Sequence, residues 1–242
     1  MDEVINELFS LKGKKAVVTG GGRGIGKAIT TGLCRAGAQV AIIGSSERTP
    51  AIAREISGER YLVHGIVGDL SKIDEVESIF NKALEHLNGD IDILVNNAAI
   101  QRRYPAESFP LHEWQKIIDL NLTAVALLCQ LAGRKMIQRG YGKIINMASM
   151  TSFFGSYNIM AYAASKGGIA QLTKALSNEW SQYGINVNAI APGGFRTEMT
   201  KALREDKKTE ESIMERTPAG RWGEPQDLIG TVIYLASKAS DY

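Results

Sequence analysis

The chain has 242 residues, with 28 Lys and Arg against 26 Asp and Glu, a formal net charge of +2. So even a balance leaves neither a basic patch nor an acidic tail, and it argues against nucleic acid or a membrane surface as the main partner. The length suits one α/β domain with an ample core.

The N-terminal stretch Met1-Asp-Glu-Val-Ile-Asn-Glu is acidic where a signal peptide is basic. No apolar run is expected to approach the roughly 20 residues of a membrane span. Lys14–Thr19 reads as an apolar strand running into Thr19-Gly-Gly-Gly-Arg-Gly-Ile-Gly26. A helical pattern through Ala28, Ile29, Leu33 and Cys34 ends at Ala36-Gly37, and a second strand, Gln39–Ile43, follows. Strand, glycine-rich turn, helix and strand in that order form the context in which such a turn cradles a dinucleotide. Gly20 suits a tight turn, Gly24 lets backbone approach a pyrophosphate, and Gly26 permits close helix packing. The helix N-terminus then faces the phosphates.

The end of the second strand bears on cofactor choice. An acidic residue there binds a ribose 2′-hydroxyl and repels a 2′-phosphate. Here Gly44-Ser45-Ser46-Glu47-Arg48 puts neutral hydroxyls first, Glu47 comes late enough to point away, and Arg23 is available from the glycine turn. This favours NADP(H).

Tyr61–Val67 is the next predicted strand and leads to Gly68-Asp-Leu70. Ser71-Lys-Ile-Asp74 has the form of a capping box opening an amphipathic helix to about Leu87. Ile91–Val95 is a continuous apolar strand, as in the middle of a parallel sheet, and ends in Asn96-Asn-Ala-Ala99. A long helix is expected from Leu111 to Arg139, with Asn121 set among Leu120, Leu122 and Val125. Lys143–Ala148 is the next strand, Ala161–Tyr183 the next helix and Asn186–Ala191 the next strand. Arg204–Glu211 is a mixed charge run, read as a solvated helix face or a mobile lid. Pro225 opens the last helix in a position that tolerates proline. Strands each followed by a helix predict a single-domain doubly wound parallel sheet, a Rossmann fold with helices on both faces. Residues 1–110 would mainly serve the cofactor and 111–242 catalysis and substrate.

Ser149 follows the fifth of these strands, and Tyr162 and Lys166 stand four apart, on one face of a helix. A hydroxyl, a phenol and an ammonium thus converge at the carboxyl edge of the sheet. A phenol is a poor base near neutral pH, and a neighbouring ammonium favours its phenolate. The trio suits the proton transfer that accompanies hydride transfer at a carbonyl carbon. Tyr-x-x-x-Lys alone is common, so the pair carries weight only through its context. Cys34 and Cys129 are far apart and read as buried free thiols of a reducing cytoplasm. His64, His86 and His112 show no ligand spacing, so no metal site is expected.

Together these residues resemble the short-chain dehydrogenases/reductases over essentially the whole chain. Thr19–Gly26 is similar to that family's cofactor turn, Asp69 to its adenine-contacting carboxylate, and Asn96-Asn-Ala-Ala99 to its Asn-Asn-Ala-Gly segment, with Ala99 where Gly is usual. Asn121, Ser149, Tyr162 and Lys166 fall on the family's catalytic tetrad, in order and with the usual spacing. Pro192-Gly193 and Thr197 fall where the family flanks the nicotinamide. The resemblance implies NAD(P)(H), held along Thr19, Gly20, Arg23, Gly24, Ile25, Gly26, Ser45, Asp69, Leu70, Asn96, Ala98, Tyr162, Lys166, Pro192, Gly193 and Thr197. It also implies roles: Tyr162 as general acid/base, Lys166 lowering its pKa and binding the nicotinamide ribose, Ser149 orienting the substrate oxygen, and Asn121 holding a water that relays protons.

Ile100-Gln-Arg-Arg103, Ala161-Tyr-Ala-Ala-Ser-Lys-Gly-Gly168 and Pro218-Ala-Gly-Arg-Trp-Gly223 are similar to stretches in the family's sugar-acid enzymes, the gluconate 5-dehydrogenase, 2-dehydro-3-deoxygluconate 5-dehydrogenase and 2-deoxygluconate 3-dehydrogenase groups. A sugar-acid carboxylate needs a cation, and Arg102 and Arg103, just past the fourth strand, are the candidates, with Arg221 third. A β-ketoacyl carrier protein reductase or broad carbonyl reductase shares the tetrad and is the first alternative; a non-catalytic nucleotide-binding redox sensor is the other. The family usually continues beyond Tyr242 into a strand carrying Val-Asp-Gly-Gly, which weighs on the last sheet edge and on the homotetramer the resemblance implies.

Overall fold

Six parallel strands form the centre of the fold, in the order β3-β2-β1-β4-β5-β6. The computed structural model describes residues 2–242; Met1, part of the N-terminal stretch weighed above, lies outside them. The strands are β1 Lys15–Thr19, β2 Gln39–Gly44, β3 Val63–Val67, β4 Ile93–Asn96, β5 Gly142–Met147 and β6 Ile185–Ile190. The helices are α1 Asp2–Phe9, α2 Gly24–Arg35, α3 Thr49–Ser57, α4 Val76–Glu85, α5 Leu111–Ile118, α6 Ala124–Arg139, α7 Met160–Trp180, α8 Lys201–Glu205, α9 Lys207–Glu215 and α10 Ile229–Ala236.

Side chains alternate between the two faces of a strand, so a sheet buried on both sides builds two cores. Val17, Ala41, Ile43, Leu94 and Ile144 meet Phe80, Leu84, Leu128, Ile169 and Trp180 from α4, α6 and α7 on one face. Ala16, Val18, Val40, Ile42, Ile93, Val95 and Ile145 meet Ile29, Leu33 and Val232 from α2 and α10 on the other. The helices approach closely: a Cβ on Gly32 of α2 would lie 2.6 Å from the Ile229 side chain.

Several expectations shift. The apolar run from Tyr61 pairs only from Val63, whose amide, pointing away from β2, donates to the Ser57 hydroxyl at 3.0 Å. Ser71 does not cap a helix. Its hydroxyl and amide both donate to Asp69, at 2.7 and 3.0 Å, and the helix begins as a 3-10 turn at Ile73 before α4. Helices α1 and α3 were not expected; α3 opens at Thr49-Pro50, with proline in the first turn. The stretch Leu111–Arg139 corrects the expectation about apolar length, for it is long and apolar enough to cross a bilayer. Ile117, Val125, Leu128 and Met136 of this stretch are buried inside the fold.

That stretch is also interrupted. Residues Asp119–Thr123 form a π-turn, with the Ala124 amide reaching the Asp119 carbonyl five residues back. Asn121 supplies the reason. Its side-chain amide pairs with the Ile100 main chain in both directions, at 2.9 Å each, and so draws the turn toward the loop after β4. Such single π-turns are concentrated at functional sites.

Candidate active site

The strand order reverses between β1 and β4, and a crevice opens there at the carboxyl ends of the strands. Thr19, the last residue of β1, spans it: its hydroxyl accepts the amides of Asn97 and Ala98 at 2.9 and 3.0 Å. The glycine turn has no room for side chains at Gly20, Gly21 and Gly26. A Cβ on Gly26 would lie 2.0 Å from the Gly20 carbonyl oxygen, and one on Gly20, at φ +65°, 3.0 Å from Ala98. Arg23 precedes α2 in an extended conformation and makes no side-chain cap. The first amides of α2 are therefore open to an anion, and the helix dipole favours one. Thr197 comes over this turn, 3.5 Å from where a Gly24 Cβ would be. A glycine cradle, uncapped helix amides and a covering Thr197 fit the pyrophosphate of a dinucleotide.

The remaining cofactor candidates divide. Ser45 is exposed at the end of β2, as are Ser46, Glu47 and Arg23. Partial burial pushes the Asp69 pKa up, but the Ser71 hydroxyl and amide, with Lys116 and Lys72, hold it below the ordinary value. Ile25 and Ala98 are partly buried beside the turn and Leu70 is buried. Asn96 departs from expectation. Strand β4 runs one residue further than the apolar pattern, so the Asn96 side chain turns into the core, donating to Asn146 Oδ1 at 2.8 Å and Cys129 Sγ at 3.3 Å. Asn97 takes the place beside the glycines, its amide donating to the carbonyls of Thr19 and Gly20 at 3.0 and 3.2 Å.

Beyond β5 the structure brings Ser149, Tyr162 and Lys166 together. The Ser149 hydroxyl accepts the Thr151 amide at 3.2 Å. Lys166 is almost fully buried, and its Nζ donates to the Met147 carbonyl and lies 5.8 Å from the centre of the Tyr162 ring. Burial pulls the Lys166 pKa down to about 8. Burial also raises the Tyr162 pKa, and the Ser149 hydroxyl opposes the rise. The Asn121 side-chain NH2 is committed to the Ile100 carbonyl and to Ser165 Oγ at 3.2 Å, which leaves the second lone pair of Oδ1, already bonded once by the Ile100 amide, to meet a water. Pro192 joins the site through its carbonyl, which accepts the Met150 amide at 3.2 Å, and Gly193 lies against Met150.

The candidate cations differ in partners. Arg102 Nε lies 3.6 Å from Glu113, and Arg221 pairs with Asp227 at 2.7 Å. Arg103 has no ion-pair partner among the described residues, and partial burial lowers its pKa. The charge run after Thr197 is two short helices rather than one, broken at Asp206, which caps α9 through the Lys208 amide. It is also tied down: Arg204 donates to the Thr197 carbonyl at 3.1 Å, and the buried Trp222 donates to Glu210 at 3.0 Å.

A family profile described as short chain dehydrogenase matches residues 14–208. The chain is 47% identical over 240 residues to the 2-dehydro-3-deoxy-D-gluconate 5-dehydrogenase of Bacillus subtilis (strain 168), covering 98% of this chain and 93% of that one. It is 44% identical over 242 residues to the 5-keto-D-gluconate 5-reductase of Escherichia coli (strain K12), covering 98% and 94%. Among solved structures, a gluconate 5-dehydrogenase from Burkholderia cenocepacia J2315 in complex with NADP and tartrate superposes with a TM-score of 0.92 at 41% identity, covering 98% of this chain and 92% of that one.

Proposed function

The chain belongs to the short-chain dehydrogenase family, and from that premise we propose that it interconverts a secondary alcohol and a ketone of an open-chain sugar acid, of the gluconate or deoxygluconate type, with NADP(H) as the preferred cofactor. The observation that carries the reading is the buried Lys166, its Nζ bonded to Met147 two residues before Ser149 and 5.8 Å from the centre of the Tyr162 ring, set next to a glycine turn closed to side chains at Gly20, Gly21 and Gly26. The relatives named for gluconate-type substrates, and the neighbour solved with NADP, support the substrate class and the cofactor.

When bound, the nicotinamide cofactor gives or takes the hydride. The chain supplies the proton and the geometry. Ser149 Oγ already accepts the Thr151 amide, so its own proton is free to point at the substrate oxygen. Tyr162 Oη gives that oxygen its proton in reduction and removes it in oxidation. Lys166, a desolvated cation beside the ring, stabilises the phenolate as it forms. Arg103, the unpaired and partly desolvated cation, meets the substrate carboxylate. Ser45 and Ser46 leave the second strand end without a negative charge against a 2′-phosphate.

The same reading places the protein in the cytoplasm, where its free buried thiols Cys34 and Cys129 stay reduced, and takes a homotetramer as its assembly, to be tested by light scattering. The decisive experiment is a turnover screen of gluconate, 5-ketogluconate, 2-deoxygluconate and acetoacetyl substrates with NADPH, NADH and their oxidised forms. Turnover of a sugar acid with kcat/KM well above the acetoacetyl thioester supports the reading. The reverse order makes the chain a ketoacyl reductase.

A further inference from the structure

Ser152 closes the 3-10 turn Met150–Ser152 that follows Ser149, and its hydroxyl has two partners. It accepts the Ser149 main-chain amide at 3.3 Å and donates to the Lys166 main-chain carbonyl at 2.7 Å. One proton and two lone pairs allow both bonds together. A serine that merely capped a turn would serve its own turn alone. This one crosses to the helix that carries Tyr162 and Lys166, at the carbonyl of Lys166 itself.

We propose that Ser152 is a positioning residue of the reaction, fixing the Ser149 hydroxyl relative to Tyr162 and Lys166 by tying the turn to α7. The inference rests on the catalytic roles given above to those three residues. Its physical basis lies in what else holds the turn. The Thr151 amide orients the Ser149 hydroxyl from within the turn, and the Met150 amide ties it to Pro192 on the other side. Lys166 Nζ bonds Met147, but that fixes the end of β5 and not the turn beyond it. The turn also lies against α7, but the next two residues, Phe153 and Phe154, are 69% and 53% exposed and anchor nothing. Among the described hydrogen bonds, the contact of Ser152 with Lys166 joins this turn directly to α7.

The test compares Ser152→Ala and Ser152→Thr with wild type, using 5-ketogluconate and NADPH, with Ser149→Ala and Tyr162→Phe alongside. A misplaced reacting group loses rate rather than affinity, so Ser152→Ala should lower kcat about tenfold to a hundredfold. KM for NADPH, NADPH binding by fluorescence and the thermal midpoint should stay near wild type, since the turn carries little of the core. Ser152→Thr restores a hydroxyl at the same Cβ and should recover most of the rate. Wild-type kcat in Ser152→Ala, or a loss that Ser152→Thr does not restore, overturns the inference. Should Ser149→Ala and Tyr162→Phe keep wild-type turnover, the catalytic reading itself fails. Should they lose it while Ser152→Ala keeps it, the positioning role alone falls.

Discussion

Replacing Arg103 by Ala should separate charged from neutral substrates. A carboxylate entering the crevice sheds water, and leaving it unpaired there is costly. Arg102 is already engaged by Glu113 and Arg221 by Asp227, whereas Arg103 is free of ion pairs among the described residues and already part desolvated. Losing a hydrogen bond to a charged group costs about 1.5–3 kcal/mol, which corresponds to roughly tenfold to 150-fold in KM. Steady-state kinetics of Arg103→Ala with 5-ketogluconate should show that rise, with kcat little changed. A neutral ketone of similar size should keep its wild-type KM. Arg102→Ala should matter less, because Glu113 already engages its side chain. Equal effects of Arg103→Ala on both substrates, or none on either, would refute the reasoning and return Arg103 to an ordinary surface loop.

Tyr162→Phe keeps the ring and removes the proton, so kcat should fall by about 10²–10⁴ while NADPH affinity measured by fluorescence holds. The ratio of kcat/KM for NADPH over NADH should be at least unity and should fall steeply in Ser45→Asp, which places a negative charge against the 2′-phosphate; a wild-type preference for NADH would contradict the assignment. Partial burial pushes the Asp90 carboxyl up, but the Arg139 guanidinium, the Ile91 amide and Lys15 outweigh it and hold its pKa below the ordinary value. A depressed carboxyl stabilises the fold above its unfolded pKa and loses that contribution as pH falls through the folded one. Arg139→Ala should therefore lower the melting temperature at pH 7, and the gap from wild type should narrow in acid below the ordinary Asp range; an unchanged gap at low pH would assign the loss to packing.

The sheet was legible because parallel strands buried on both faces are written as apolar runs, and β1, β2 and β4 carry them, while β5 buries Lys143 and Asn146 beside Ile144 and Ile145. The catalytic trio was legible because helical spacing fixes Tyr162 and Lys166 to one face. Parity hid the role of Asn96. An apolar pattern ending at Val95 leaves both asparagines to the loop, but one more strand residue sends Asn96 inward and gives Asn97 the glycines. The π-turn was hidden for a similar reason: one extra residue does not disturb an apolar pattern, and its cause is a partner at Ile100, 21 residues away. Ser152 and Ser165 gave no signal at all, since a serine's hydrogen-bond partners across a fold leave no periodicity in sequence.

The switch in strand order between β1 and β4 also governs how the molecule can be assembled. Strand β4, on the cofactor side of residue 110, is paired on one edge with β1 and on the other with β5 from beyond it. Cutting the chain at residue 110 would bare the edge of Ile93, Leu94 and Val95 in one piece and that of Ile144 and Ile145 in the other, edges prone to sticking to one another at random. The two functional halves are thus one folding unit. Thr19 must find Asn97 across 78 residues before the crevice exists, and such distant parallel pairings form slowly. Recovered turnover after dilution from denaturant should consequently lag behind recovered helix signal, and the lag measures the closing of the sheet.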